Sequence, residues 1–363
     1  MNPYELCSSE DFKSSVSTNS TTPARSFVYY RVSPAWSTGI HILKTDKDKS
    51  YANIFLQSLE KKYGYILFIP LVFLSQYRMS EKKDPAHHER IEIMPGMIDS
   101  HFHTAVMRQK GLDIESILSN CFESGFEGGI DIGTQAGDTS ERYWVHEKHH
   151  KIAIASGLYP SEAEQPDMVR RLDLLVSDIE TYHIAAIGEI GIDLHWNYAT
   201  PEIQQELFAA QIEIANQYKV PIIVHNRKAD QLFIDTVTAT PPIAGGIMHC
   251  FSSDYSFAKR CIDMGFYISF AGNVTYKNSR LIREAAAKIP IEPLLLETDS
   301  PYLSPQKVRG HLNHPGHMGF IYREIADLRG MDIMELVKVV KNNLFPSMKK
   351  NGVFLSKVLF NGN

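Results

Sequence analysis

Cysteine is scarce. The 363-residue chain has four, Cys7, Cys121, Cys250 and Cys261, and no CxxC pair. That excludes a dense disulfide framework and points to a reducing compartment, hence the cytoplasm. Long apolar runs are missing too. The strongest, YILFIPLVFL at 65–74, is broken by Pro70. It falls short of the roughly 18–20 residues that a membrane helix needs. It also lies too far from Met1 for a secretory signal and reads as a buried segment or strand. Positive charge is not in excess: 37 Lys and Arg stand against 42 Asp and Glu, a formal net charge of −5. This excludes a large basic face that grips nucleic acid, but not an enzyme that meets phosphates through metal ions. No glycine fingerprint follows the first strand candidate, which argues against a dinucleotide-binding domain.

What is present is enough apolar residue, 44%, to build a substantial core. The chain changes character near residue 90. Residues 8–26 are rich in Ser and Thr, and residues 80–90 (SEKKDPAHHER) look like a linker. From residue 91 a rhythm begins in which short β-branched runs alternate with longer helical patterns. The strand candidates are MIDSH at 97–101, GGIDIG at 128–133, KIAIASGLYP at 151–160 and IAAIGEIGID at 184–193. VPIIVHN at 220–226, GGIMHCF at 245–251, FYISFAGN at 266–273 and PLLLETDSP at 293–301 follow.

Helical patterns fall at 164–181, 201–219, 228–238, 254–264 and 278–288, with a further pair at 318–329 and 331–343. The segment 201–219 is the clearest: Thr200 suits an N-cap, Pro201 a first turn, and Leu207, Phe208, Gln211, Ile212 and Ala215 form one stripe. Near-continuous apolar strands alternating with helices imply a parallel sheet covered by helices. Eight such units predict an α/β fold, a closed (β/α)₈ TIM-type barrel over 91–345, with an open doubly wound sheet as the alternative.

In such a barrel, functional residues lie at the C-terminal ends of the strands. Ligand-type side chains recur there. His101 and His103 follow MIDS, Glu189 and Asp193 lie in IAAIGEIGID, His225 ends VPIIV, His249 ends GGIM, and Asp299 ends PLLLET. Each alone has an ordinary structural explanation, such as a packed histidine or a helix cap. Burying all of them beside apolar runs is costly unless they are paired or liganded. Imidazoles with carboxylates suit Zn²⁺, Mn²⁺ or related ions. So many groups exceed one tetrahedral site and favour two ions with a bridging carboxylate. Arg227, Lys277 and Arg309 fall in segments expected at the rim, where each could neutralise a phosphate or simply be solvated. Tyr302 reads as a packed ring, with base stacking as the alternative.

MIDSHFH, GEIGID, PIIVHNR, MHCFSS, SFAGNVTYKN and LLLETDSPYL resemble, in order, the signature segments of the TatD family of metal-dependent DNases. The resemblance runs from about residue 97 to about residue 345. It implies an amidohydrolase-type barrel and metal ligation by His101, His103, Glu189, His225, His249 and Asp299. RGHLNHP at 309–315 resembles a late segment of the same family, which places Arg309 and Asn313 near the site and has His314 where the family has Glu. HCFSS ends on Ser253 where the family has Gly. The expected cofactors are two divalent ions (Mg, Mn or Zn); the hypothesis for their ligands puts Glu189 between them, His101, His103 and Asp299 on one and His225 and His249 on the other. The implied substrate is DNA, single-stranded or at ends, with Arg309 and Asn313 as contacts; Arg227 joins them as a candidate from its place at the rim. The expected reaction is exonucleolytic hydrolysis of a phosphodiester, with Glu189 and Asp299 catalytic and Asp299 able to serve as the general base. No membrane or obligate protein partner is implied.

Two other readings remain. PGMIDSHFH would equally open an amidohydrolase of a small ester, lactone or amide, although Glu189 stands where such enzymes commonly bridge their ions with a lysine. A metal-binding scaffold is the non-enzymatic reading, although a structural site is usually closed and four-coordinate. Residues 1–90 are expected to be a partly disordered extension or an upstream translation artefact, with Met79, Met94 or Met97 nearer a true start. Residues 346–363 are expected to be a tail.

Overall fold

Every one of the eight β-branched runs forms a strand in the computed structural model, which describes residues 90–347 apart from 136 and 197. All of the extension at 1–90 but Arg90, the apolar run at 65–74 and nearly all of the tail at 346–363 lie outside the described residues. The strands are β1 (Ile98–Phe102), β2 (Gly128–Ile132), β3 (Ile152–Ser156), β4 (Ile184–Asp193), β5 (Ile222–Arg227), β6 (Gly246–Met248), β7 (Phe266–Phe270) and β8 (Leu294–Leu296). They pair in parallel and in chain order. All five residues of β1, β2 and β3, and all ten of β4, are buried, as a sheet covered on both faces requires.

The sheet comes nearly full circle. Phe102 bridges Ser300, the backbone N–H of Asp299 donates to the carbonyl of His101 at 2.9 Å, and that of His103 donates to Ser300 at 2.9 Å. Buried Asp99 reinforces the seam. Its Oδ1 accepts from the N–H of Thr298 at 2.9 Å and of His101 at 3.2 Å, and its Oδ2 accepts from Thr298 Oγ1 at 2.6 Å. A TIM-type (β/α)₈ barrel is thus what this part of the chain forms, and the open sheet is set aside.

Helices cover the outside. The described residues contain α1 (Thr104–Gln109), α2 (Ile114–Glu123), α3 (Thr139–Lys148), α4 (Met168–Thr181), α5 (Pro201–Tyr218), α6 (Asp230–Ala239), α7 (Tyr255–Asp263), α8 (Arg280–Lys288), α9 (Met318–Arg329) and α10 (Ile333–Ser347). None is long and apolar enough to cross a membrane. The first three were not legible as helices. α1 has six residues, and α3 buries Thr139, Arg142 and His146 beside Val145, so its inward face carries little apolar rhythm.

α5 behaves as its sequence predicts. The Thr200 hydroxyl accepts from the N–H of Ile203, and Leu207, Phe208, Gln211, Ile212 and Ala215 are buried. Its two buried glutamines fix the barrel mouth. Gln211 accepts from the N–H of Leu158 at 2.7 Å and donates to its carbonyl at 3.0 Å, just past β3. Gln204 accepts from the N–H of Asp193 at 2.9 Å and donates to its carbonyl at 3.2 Å. Gly191 lets β4 and β5 approach: at φ 140°, a Cβ there would lie 2.0 Å from the carbonyl oxygen of His225.

Candidate metal centre

The mouth of the barrel gathers side chains from β1, β4, β5 and the segments after β6 and β8. All six residues expected as ligands meet there. His101 Nε2 and His103 Nε2 are 3.1 Å apart. Glu189 Oε2 lies 3.5 Å from the first and 3.4 Å from the second. Asp299 Oδ1 is 3.4 Å from His103 Nε2 and 3.9 Å from His101 Nε2. On the other side, Glu189 Oε1 is 2.7 Å from His225 Nδ1 and 2.8 Å from His249 Nε2, and these two nitrogens are 3.3 Å apart. Each oxygen of Glu189 therefore faces its own set of imidazoles.

The rear nitrogens of three histidines show what the front ones can be. His103 Nδ1 lies 3.0 Å from the carbonyl of Ile132, His225 Nε2 lies 3.0 Å from Asp193 Oδ2, and His249 Nδ1 lies 3.3 Å from Glu297 Oε1. Each of these partners is an acceptor, so the neutral ring carries its hydrogen at the rear and a lone pair in front. The front lone pairs then point at carboxylate oxygens. Acceptors facing acceptors in a buried place need a cation between them, either a proton or a metal ion. His101 Nδ1 is buried without a hydrogen-bond partner, and His249 Nδ1 meets Glu297 as a 3.3 Å ion-pair contact only, without hydrogen-bond geometry. The donor set is thus of the type that holds a borderline divalent ion.

The proton affinities tell the same story. Burial alone pushes imidazole pKa values down, but Glu189 and its fellow carboxylates overcome it. His249 is raised well above the ordinary value, with His103 and His225 also raised. His101 goes the other way, to about 3, because of burial and then the charge of His249. Burial pushes Glu189 up, but the charge of His249 and hydrogen bonds from His101, His225 and His249 hold it well below the carboxylate range. Asp193, pushed up by burial, is brought to about 2 by His225.

Sequence reasoning missed several groups. Glu297 is fully buried behind His249 and accepts from the N–H of Cys250 at 2.6 Å. Its signal was present, a second carboxylate at the end of the apolar run LLL. Tyr159, after β3, places its hydroxyl 3.2 Å from Asp193 Oδ2 and 3.3 Å from His225 Nε2. Asp131 was also unremarked. It accepts from the N–H of Thr104 at 2.8 Å and from its hydroxyl at 2.6 Å, and so fixes the chain just after His103. Arg142, itself buried, pairs with Asp131 at 3.3 Å and Asp138 at 2.9 Å.

The expected substrate residues divide. Arg227, at the end of β5, lines an open cleft beside the centre. Arg309 is exposed, with its guanidinium 4.6 Å from the Tyr276 ring centroid. Lys277 is exposed as well. Asn313 is fully buried, and its amide donates to the carbonyls of Thr298 and Tyr302, each at 2.8 Å. It holds the Asp299 segment in place, and its amide is occupied by the fold. Tyr302 is 47% exposed at the rim, not packed away as expected, with Lys110 Nζ 5.6 Å from its ring centroid. Three non-glycine residues at strand ends have left-handed backbone: Lys228 after β5, Cys250 after β6 and Asp299 after β8, at φ 57°, 46° and 52°. Such conformations gather where a site demands them.

A barrel with imidazoles and carboxylates converging at its C-terminal mouth belongs to the metal-dependent hydrolase class of this fold. The family profile described as TatD related DNase matches residues 98–346. The chain belongs to the TatD family of metal-dependent hydrolases. It is 32% identical over 252 residues to "Uncharacterized metal-dependent hydrolase YabD" of Bacillus subtilis, covering 68% of this chain and 96% of that one. It is 30% identical over 239 residues to "3'-5' ssDNA/RNA exonuclease TatD" of Salmonella typhimurium, covering 64% and 91%. The crystal structure of the TatD homologue YJJV from Escherichia coli superposes with a TM-score of 0.64 at 26% identity, covering 75% of this chain and all of that one.

Proposed function

We propose that this protein hydrolyses phosphodiester bonds in single-stranded nucleic acid, DNA foremost, and works from an end. One observation carries the reading: the two oxygens of Glu189 face two separate ligand sets, His101, His103 and Asp299 on one side and His225 and His249 on the other. Two divalent ions bound there would lower the pKa of a water and neutralise charge on phosphoryl oxygens. The chain's own groups do the rest. Asp193 and Glu297 hold His225 and His249 in the ring orientation that turns a lone pair inward. Asp299, 8% exposed against 3% for Glu189, is the carboxylate best placed to take a proton from the attacking water. Arg227 and Arg309 meet flanking phosphates. The exonuclease name of the Salmonella relative supports the choice of substrate. Three of the cysteines are free, which fits a cytoplasmic setting.

The test is an end-labelled single-stranded DNA incubated with Mg²⁺, Mn²⁺ or Zn²⁺, beside Glu189→Gln and an EDTA control. Stepwise shortening that needs metal and is lost in the variant is the expected result. No cleavage by a protein shown to hold its ions would instead favour a small ester, lactone or amide as substrate.

A further inference from the structure

Beside the metal centre, past the end of β5, an open cleft of about 580 Å³ is lined by His195, Arg227, Lys228, Asp230, Ser252 and Ser253. Its charge departs from that of the chain. Two cations stand against one carboxylate in a protein of net charge −5. That carboxylate is partly committed: Asp230 Oδ1 accepts from Asn226 Nδ2 at 2.6 Å and Ser253 Oγ at 3.0 Å. Lys228 has the left-handed backbone noted above and is exposed. At the rim, Trp196 is 53% exposed. Its ring lies 5.7 Å from the Arg227 guanidinium and has the His195 ring edge-on, with centroids 4.8 Å apart. Leu194 beside it is also exposed.

Arg227 links this cleft to the metal centre. It stands two residues after His225 on β5, so both belong to one side of the strand, on the order of 6–7 Å apart along it. A group held by Arg227 is therefore an immediate neighbour of one held at the centre. Cations next to an exposed indole suit a phosphate joined to an unpaired base. The indole face stacks on any base, but only when that base is free of a duplex.

We propose that this cleft binds the nucleotide adjoining the scissile phosphate, with Trp196 stacking on its base and Arg227 and Lys228 holding its phosphate. The proposal rests on the nucleolytic reading above and adds the residue that confines the substrate to single strands.

Binding is measured first on the full chain in EDTA, where no strand is cut, with labelled oligothymidylate. Trp196 is one of three tryptophans, so stacking should quench part of the intrinsic emission, and Trp196→Ala should abolish that quench. Anisotropy should show binding weakened roughly 5- to 150-fold in Trp196→Ala and largely restored in Trp196→Phe. An abasic site at the stacked position should weaken wild-type binding similarly and add little in Trp196→Ala. Lys228→Gln should reduce the slope of log affinity against log salt by about 0.7. Equal affinity of wild type and Trp196→Ala, or no binding of the oligonucleotide by wild type, overturns the proposal. An unchanged salt slope removes Lys228 from it. With metal restored, cleavage with an unaltered KM in Trp196→Ala rejects the stacking while leaving the nuclease. Binding through Trp196 without cleavage rejects the nuclease alone.

Discussion

Replacing Glu297 by glutamine should weaken metal binding at the His225–His249 side of the centre without unfolding the barrel. Glu297 is fully buried, and its Oε1 has two neighbours, the Cys250 N–H at 2.6 Å and His249 Nδ1 at 3.3 Å. As a carboxylate it can only accept, so it selects the His249 tautomer with its hydrogen on Nδ1 and its Nε2 lone pair towards Glu189. A glutamine keeps the shape and can still accept from Cys250. Its amide can also donate to His249 Nδ1, which favours the tautomer that cannot ligate, and the negative charge behind the ring is lost. Full unit charges 3.3 Å apart would interact by about 5 kcal/mol at an effective dielectric constant of about 20, an upper bound for a neutral ring. Loss of such a supporting partner typically weakens a metal site by about 10- to 100-fold, or about 1.4–2.7 kcal/mol. Competition with a chromogenic chelator measures this directly, and thermal unfolding in EDTA checks the fold. A metal affinity within about twofold of wild type, in a variant that melts normally, would refute the tautomer reasoning.

Three other perturbations follow from the same geometry. Arg142→Met strands two carboxylates that it now pairs, and should cost about 3–5 kcal/mol in urea unfolding; Arg142→Met with Asp131→Asn should recover part of the loss. Gly191→Ala forces a Cβ against the carbonyl of His225 at positive φ, and should cost roughly 2–4 kcal/mol and reduce bound metal by elemental analysis. In EDTA, His225 and His249 have folded pKa values above the ordinary 6.5, so their stabilising contribution is complete below that pH and is lost as pH rises through the raised values. Metal needs the same rings neutral, so the rise in Tm on adding metal should widen from about pH 6 to about pH 9; a gap that stays constant or narrows would contradict this.

The barrel was legible because its strands are buried on both faces. Valine, isoleucine, leucine and glycine runs such as PIIV and PLLL leave little else for those segments to be, and the helices with a clean apolar stripe followed. α1 and α3 escaped because one is short and the other buries Arg142 and His146. The ligand-type residues could be located because each ends or interrupts an apolar run, where a polar group is conspicuous. Glu297 ended the same kind of run and was overlooked in favour of Asp299 two residues on. Asn313 shows the opposite limit: proximity to the centre could be inferred, but not that its amide would be used up by the carbonyls of Thr298 and Tyr302. Trp196 carries no periodic signal in a loop, and only its exposure beside Arg227 marks it out.

The seam between β1 and the end of β8 has a kinetic consequence. His101 and Asp299 are brought together by the hydrogen bonds that close the circle, so the ligand set is incomplete until strands nearly two hundred residues apart have met. A chain still emerging from the ribosome, or one cut short before Asp299, has most of a barrel's sequence and lacks a complete centre. A complete centre therefore arrives with the last strand, and an ion held by His101, His103 and Asp299 would report that the circle has closed.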